Sequence, residues 1–277
     1  MILNGSKKIS ALVLGAFVTV VTAAPVAAAT WPAHVSQAQA WVNVIKADNN
    51  EYGDSPSIGW IGSDLHARSR CGSFTGLLLQ TTYPGVITGT VLNALTGESL
   101  PHAANWYNAI LSGALDPVSQ IGFHRRDNVA DIAVGDILAA SYTLTGDTGH
   151  VMTVASITKT GTGIASPYPI PNVSTVNRYR VTVYDSTKSP HGSYATNPYP
   201  DTRYLKQITQ LGVYIDDQGI GSGTVNLYED PTTGDLVAWA WNVSTTTDSF
   251  YYVVPGPAGS TKEERPMVAG YLSGPGL

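Results

Sequence analysis

Gly135-Asp136-Ile137-Leu138-Ala139-Ala140-Ser141-Tyr142-Thr143-Leu144 and, shortly after it, Gly149-His150-Val151-Met152-Thr153-Val154-Ala155 mark the point where this chain changes character. Before them, apolar residues recur at helical spacing. Residues 34–48 put Ala38, Trp41, Val42 and Ile45 on one side, and residues 101–111 do the same with Ala103, Trp106, Tyr107 and Ile110. Residues 69–81 carry Phe74, Leu77 and Leu78 as an apolar face, with Cys71 near its start and Pro84-Gly85 as the stop. After them the period shortens. Residues 137–144, 151–155 and 179–184 read as strands, and residues 219–227 and 236–241 flank a hairpin turn at Asp230-Pro231-Thr232-Thr233-Gly234. Residues 251–254 and 268–272 add late strands. Residues 161–173, with Pro167, Pro169 and Pro171, form an excursion that cannot hold a central strand. Residues 49–59 and 124–131 read as polar connections. Helices first and strands second is an α+β pattern, with N-terminal helices packed on an antiparallel sheet and extra C-terminal strands.

Ahead of the helices lies a segment of another kind. Lys7 and Lys8 precede an apolar run over residues 9–21, and small residues stand at Ala27 and Ala29. This is the pattern of a signal peptide cleaved after Ala29, and the apolar core is short for a membrane span. Residues 1–29 are therefore expected to be a leader and residues 30–277 a single domain, working in the periplasm or outside the cell. No later segment is long and apolar enough to span a bilayer, so no stable membrane insertion is expected. Removing two lysines and no acids takes the net charge from −5 to −7. An acidic chain with 13% charged residues lacks the Lys/Arg footprint of a nucleic-acid binder.

The chain has one cysteine, which cannot form an intrachain disulfide. A thiol kept outside the cytosol has three readings: a buried small hydrophobe, an intermolecular bridge or a nucleophile. The surroundings of Cys71 favour the third. It stands at a turn-to-helix transition, where N–H groups and the nearby Arg68 and Arg70 would favour a thiolate. Gly72 beside it would let a ligand carbonyl approach the backbone.

A nucleophile needs a base and the base needs an orienting group. Of six histidines, His150 is mounted at the start of a short apolar strand, while His191 sits in the turn Ser189-Pro190-His191-Gly192. Asp185 ends the alternating run 179–184 on the face of Val183, Val181 and Tyr179, so it needs a partner; the alternative is a cap over Ser186 and Thr187. Asp201 and Arg203 form a second polar cluster that either lines a cleft or caps a turn. Gly219-Ile220-Gly221-Ser222-Gly223 reads as a tight corner, and Trp239 with Trp241 as buried packing or an aromatic strip. No ligand spacing for zinc is present, so no metal and no cofactor are expected.

The order Cys71, His150, Asp185 resembles the papain-like cysteine peptidases, closest to the compact bacterial branch of CHAP and NlpC-type cell-wall amidases and endopeptidases. Arg70-Cys71-Gly72-Ser73-Phe74, Gly135-Asp136-Ile137-Leu138 and Gly149-His150-Val151 carry the likeness. It implies a papain-like fold and a thiol protease or amidase, with Cys71 as nucleophile, His150 as base and Asp185 orienting it. The implied reaction cleaves amide bonds, in a peptide or a cell-wall peptide, through a thioester. It also makes Gly135 and Asp136 structural. An inactive binding module of that fold and a thiol-linked extracellular structural protein are the alternatives.

Overall fold

The computed structural model describes residues 32–142, 148–192, 201–205, 215–216, 218–243 and 249–277; the expected leader lies outside them. Four helices come early: α1 spans Ala33–Val44, α2 Cys71–Thr82, α3 Gly89–Thr96 and α4 Ala103–Ser112. Around and between them lie β1 Asn50–Tyr52, β2 Ser57–Ile61, β3 Asp64–Ser69, β4 Leu115–Asp116 and β5 Ile121–Arg126. The rest is strand: β6 Ile137–Ala140, β7 His150–Ile164, β8 Val176–Thr187, β9 Tyr204–Leu205, β10 Ile215–Asp216 and β11 Gly219–Glu229. β12 Leu236–Ala240, β13 Phe250–Tyr252 and β14 Met267–Ser273 complete the described set. The α+β expectation holds at that level.

Nine strands make one sheet in the order β13-β12-β11-β8-β7-β6-β14-β5-β4. Every neighbouring pair in it is antiparallel. The late strands join the early ones: β11 pairs with β8 along its length, and β14 sits between β6 and β5. One apolar layer joins α2, α3 and α4 to the sheet through Leu79, Leu92, Trp106, Ile110, Phe123 and Val151. A second joins α1 to α2 and the sheet through Trp41, Phe74, Leu78 and Tyr184. Each fully buried side chain of this size contributes about 1.5–3 kcal/mol relative to exposure, so these faces settle which side of each helix meets the sheet.

α2 begins at Cys71 because Arg70 is extended and its N–H is accepted by the hydroxyl of Ser73 at 3.0 Å. The next turn is packed against α4, whose Trp106 donates its indole N–H to the carbonyl of Gly72 at 3.1 Å. A Cβ on Gly72 would lie 2.3 Å from the carbonyl oxygen of Pro101. Gly72 therefore serves helix packing, which corrects the expectation that it makes room for a ligand carbonyl. α1 is anchored by His34, whose Nε2–H donates to the Gly135 carbonyl while Nδ1 accepts from the Tyr83 hydroxyl, both at 2.9 Å. Asp136 is structural too, taking a two-pronged bond from Arg126 at 2.8 and 3.1 Å.

Four features differ from the sequence reading, and one is that the excursion expected over 161–173 begins inside β7, which runs on to Ile164 against β8. The stretch read as a loop after α1 holds β1 and β2, which pair with β3 in a small separate sheet. The segment before residue 127 is strand β5, whose polar His124-Arg125-Arg126 end conceals the buried Ile121 and Phe123. α3 was not foreseen; it is short, capped by Thr88 at its start and ended by Gly97 at φ 87°. Residues 203–211 read in the sequence as a short strand or a turn; of them only 203–205 fall within the described residues, with 204–205 forming β9.

Candidate functional site

β7 starts at His150, and the residue before it decides how. Gly149 has φ 129°, and a Cβ there would stand 1.9 Å from the carbonyl oxygen of Ala140 on β6. Only glycine permits this tight pass into the strand, which fixes where the imidazole leaves the backbone. His150 is 5% exposed, and its Nε2 lies 2.6 Å from Oδ2 of Asp185 on β8. Asp185 is a strand residue with several partners, so the alternative reading of it as a turn cap falls away.

Asp185 is held from several sides. Nε2 of His191 donates to the same Oδ2 at 2.8 Å, and Nη1 of Arg203 donates to Oδ1 at 2.8 Å. The guanidinium also reaches the carbonyl of Gly219 at 3.1 Å and clamps Asp201 at 2.9 and 2.7 Å. Asp201 in turn accepts the backbone N–H of His191 at 2.8 Å. All four residues are at most 2% exposed. Nδ1 of His191 faces the carbonyl oxygen of Trp241 at 2.8 Å. Both ring nitrogens of His191 thus face oxygen atoms. Arg203 sits between the two buried carboxylates.

The strand beside Asp185 makes room for these groups. Gly221 pairs with Asp185 and Gly223 with Val183 in the β11–β8 ladder. A Cβ on Gly221 would lie 2.9 Å from Cγ and Nε of Arg203, and one on Gly223 would lie 2.5 Å from His191 and 2.6 Å from Asp201. The glycine run expected to form a tight corner is the first part of strand β11, and its alternate glycines accommodate the network.

Electrostatics follow from these contacts. Burial alone would raise the pKa of Asp185, but Arg203, His191 and the bonds from both imidazoles hold it well below the usual carboxylate range. For His150, burial lowers the pKa, while Cys71 and Asp185 raise it more, to about 9. Because Nε2 is taken by Asp185, Nδ1 is the nitrogen left to exchange a proton. The indole of Trp241 stacks on His191 at 4.0 Å and meets His150 edge-on at 4.7 Å. That settles the choice left open for Trp241, while Trp239 is fully buried packing.

His150 opens onto a cleft of about 670 Å³, walled by the start of α2, the β1–β2 segment, residues 187–189 and the aromatic side chains of Tyr142, Trp241 and Tyr251. Cys71 is in the same wall. The structure therefore brings His150 and Asp185 into one hydrogen bond and places Cys71 beside the cleft. The expectation of a Cys71–His150–Asp185 triad working through a thioester is corrected here. The tight buried group is His150–Asp185–His191, and the thiol is not a member of it. Cys71 is buried and unpaired, and its sulfur donates to the Gly149 carbonyl at 3.9 Å. The arginines expected to act on the thiol are engaged elsewhere, Arg70 with Asp54 at 2.7 Å and Arg68 with Glu51 at 3.5 Å.

His150, Asp185 and His191 have ligand-type atoms within 4.8 Å of one another, the spacing of a metal site. The donor set does not suit one. A single carboxylate oxygen is already bonded to both imidazoles, its other oxygen accepts from a buried guanidinium, and both ring nitrogens of His191 are engaged with oxygens. A cation there would face Arg203 at close range.

His191, Asp201, Arg203 and Trp241 are the site residues whose roles the sequence left unassigned. A signal was present in the polar pair Asp201 and Arg203 and in the alternating glycines of β11, but nothing local joined them to Asp185. Among the described residues, no helix is long and apolar enough to cross a membrane.

No family model matches the chain, and no solved structure matches it. The resemblance to papain-like peptidases, with the thiol-protease, CHAP and cell-wall amidase functions it implied, is thus corrected on two grounds: the composition of the buried triad and the absence of such a match. The chain is similar to the uncharacterized protein R653 of Acanthamoeba polyphaga mimivirus, 30% identical over 178 residues that cover 63% of this chain and 68% of that protein. With that identity over that share of the viral protein, the chain belongs to the family of the uncharacterized protein R653.

Proposed function

We propose that the protein binds a polar ligand in this cleft and exchanges a proton with it through Nδ1 of His150. The observation that carries the reading is the buried 2.6 Å bond from Nε2 to Asp185 at the edge of a cleft large enough for a ligand. A carboxylate on one ring nitrogen fixes the tautomer, aims the ring and makes the other nitrogen more basic. Positioned imidazoles of this kind supply general acid–base chemistry. The three residues singled out in the sequence take different parts: His150 moves the proton, Asp185 positions it, and Cys71 is a group in the cleft wall. His191 and Arg203 are positioning residues, because they hold Asp185 and do not reach the cleft.

The test is an ¹⁵N-imidazole NMR titration of the folded protein. Nε2 of His150 is expected to stay protonated throughout, with Nδ1 titrating at a midpoint near 9. Asp185→Asn should lower that midpoint by at least about one unit. A midpoint at the ordinary histidine value of roughly 6.5, or one that Asp185→Asn leaves in place, overturns the assignment.

A further inference from the structure

The charges on the cleft wall differ from those of the chain as a whole. The protein carries a net charge of −5. The described wall nevertheless holds Arg70, Lys188 and Arg265 against a single carboxylate, Asp54, which is already paired with Arg70. Two cations remain. Arg265 is held rigidly: its guanidinium lies against the rings of Tyr142 and Tyr251, 4.0 and 3.9 Å from their centroids, and is ion-paired with Glu263 at 2.7 Å. Its side chain is only 16% exposed, so the cation is positioned before any ligand arrives. Lys188 is exposed, with its ammonium 5.6 Å from the ring of Tyr52, and has no carboxylate partner among the described residues. A concave surface with low-dielectric aromatic walls concentrates the field of such charges.

We propose that the cleft takes a carboxylate-bearing ligand, its anionic group drawn in by Lys188 and Arg265 and its reacting end brought to His150. The proposal rests on the acid–base reading of the same cleft and adds the chemical class of what enters it. Lysine supplies a mobile point charge, while the arginine, held against two rings, presents a fixed planar donor. The ligand's hydrocarbon portion would lie along Tyr142, Tyr251 and Trp241, which face the same space.

Cys71, in the wall of the cleft, provides a reporter that requires no knowledge of the natural ligand. Iodoacetate and iodoacetamide alkylate a thiol by the same displacement of iodide and differ in one carboxylate against one amide. The rate constants of both reagents are measured with the full chain at about 20 mM salt, and their ratio is divided by the same ratio for free glutathione. A ratio raised at least about fivefold is expected, because at this salt the charge of Lys188, with Arg265 in the same wall, acts on an anion entering the cleft with little screening. Lys188→Gln should cut the enrichment by about half or more, and so should raising the salt to 0.5 M. The uncharged reagent corrects for any change in access to the thiol. A normalised ratio at or below one, or one that neither Lys188→Gln nor salt reduces, overturns the carboxylate assignment. If neither reagent reaches Cys71 until the protein is denatured, the cleft is closed to solutes of this size and both readings fail. Failure of the acid–base reading alone is seen separately, in the imidazole titration, which uses no reagent.

Discussion

Replacing Arg203 with methionine removes the centre of the buried network and keeps a side chain of similar length. In the native protein its guanidinium makes five hydrogen bonds, two to the Asp185 carboxylate and carbonyl, two to Asp201 and one to Gly219. The side chains of Asp185 and Asp201 are both 0% exposed. Breaking a buried pair from one side costs about 3–5 kcal/mol, because the charge left behind stays desolvated. Two carboxylates are left behind here, with His191 and His150 compensating one of them, so about 4 kcal/mol is expected at pH 7 for Arg203→Met. Urea unfolding followed by tryptophan fluorescence measures it, since Trp106 and Trp239 are fully buried. With an m-value of about 3 kcal/mol/M, the midpoint should fall by roughly 1.3 M without a change in m. The loss should also depend on pH. Asp185 has a depressed pKa in the folded protein, so its contribution is present above the unfolded carboxylate pKa of about 3.9 and is lost as pH falls through the folded value. In the variant the carboxylates protonate more readily, and the gap between the two proteins should narrow below about pH 4. A loss under about 1 kcal/mol at pH 7, or one that is the same at pH 3.5, would refute the view that Arg203 neutralises these acids.

Two further outcomes follow from the same contacts. His150 has a folded pKa raised to about 9 against about 6.5 unfolded, so its stabilising effect is complete below 6.5 and disappears as pH rises through 9. Wild-type stability should therefore fall by about 2–3 kcal/mol more than that of His150→Gln between pH 6.5 and 9.5, and parallel pH profiles in urea melts would contradict this. Gly223→Ala should destabilise by about 1–3 kcal/mol, because its methyl group meets buried His191 and Asp201 at 2.5–2.6 Å; a thermal midpoint unchanged from wild type would show that the network can yield.

Local sequence carried a good deal of this protein. α2 was legible from its apolar face, though it starts at Cys71, two residues later than read, and directly after strand β3. His150 was legible as a strand-leading imidazole after a glycine, and Asp185 as an acid at the end of an apolar face that needed a partner. These are signals of near neighbours: helical or alternating spacing, a glycine where the backbone turns tightly, a polar group where burial is implied. The small β1–β3 sheet and strand β5 were less legible, because glycines and charged residues interrupt their alternation and their pairing comes from segments far along the chain. The thiol was the strongest signal in the sequence, and it pointed to a triad that the buried hydrogen bonds assign to His150, Asp185 and His191. His191 stands only six residues from Asp185, yet its ring reaches that carboxylate because the chain turns back after β8. Asp201 and Arg203 lie further along the chain, and Gly221 and Gly223 meet them only in the register of β11 on β8. A buried charge takes whichever partners the folded chain brings within about 3 Å. Which partners those are depends on strand register and loop closure, and neither is written in the spacing of residues along the chain.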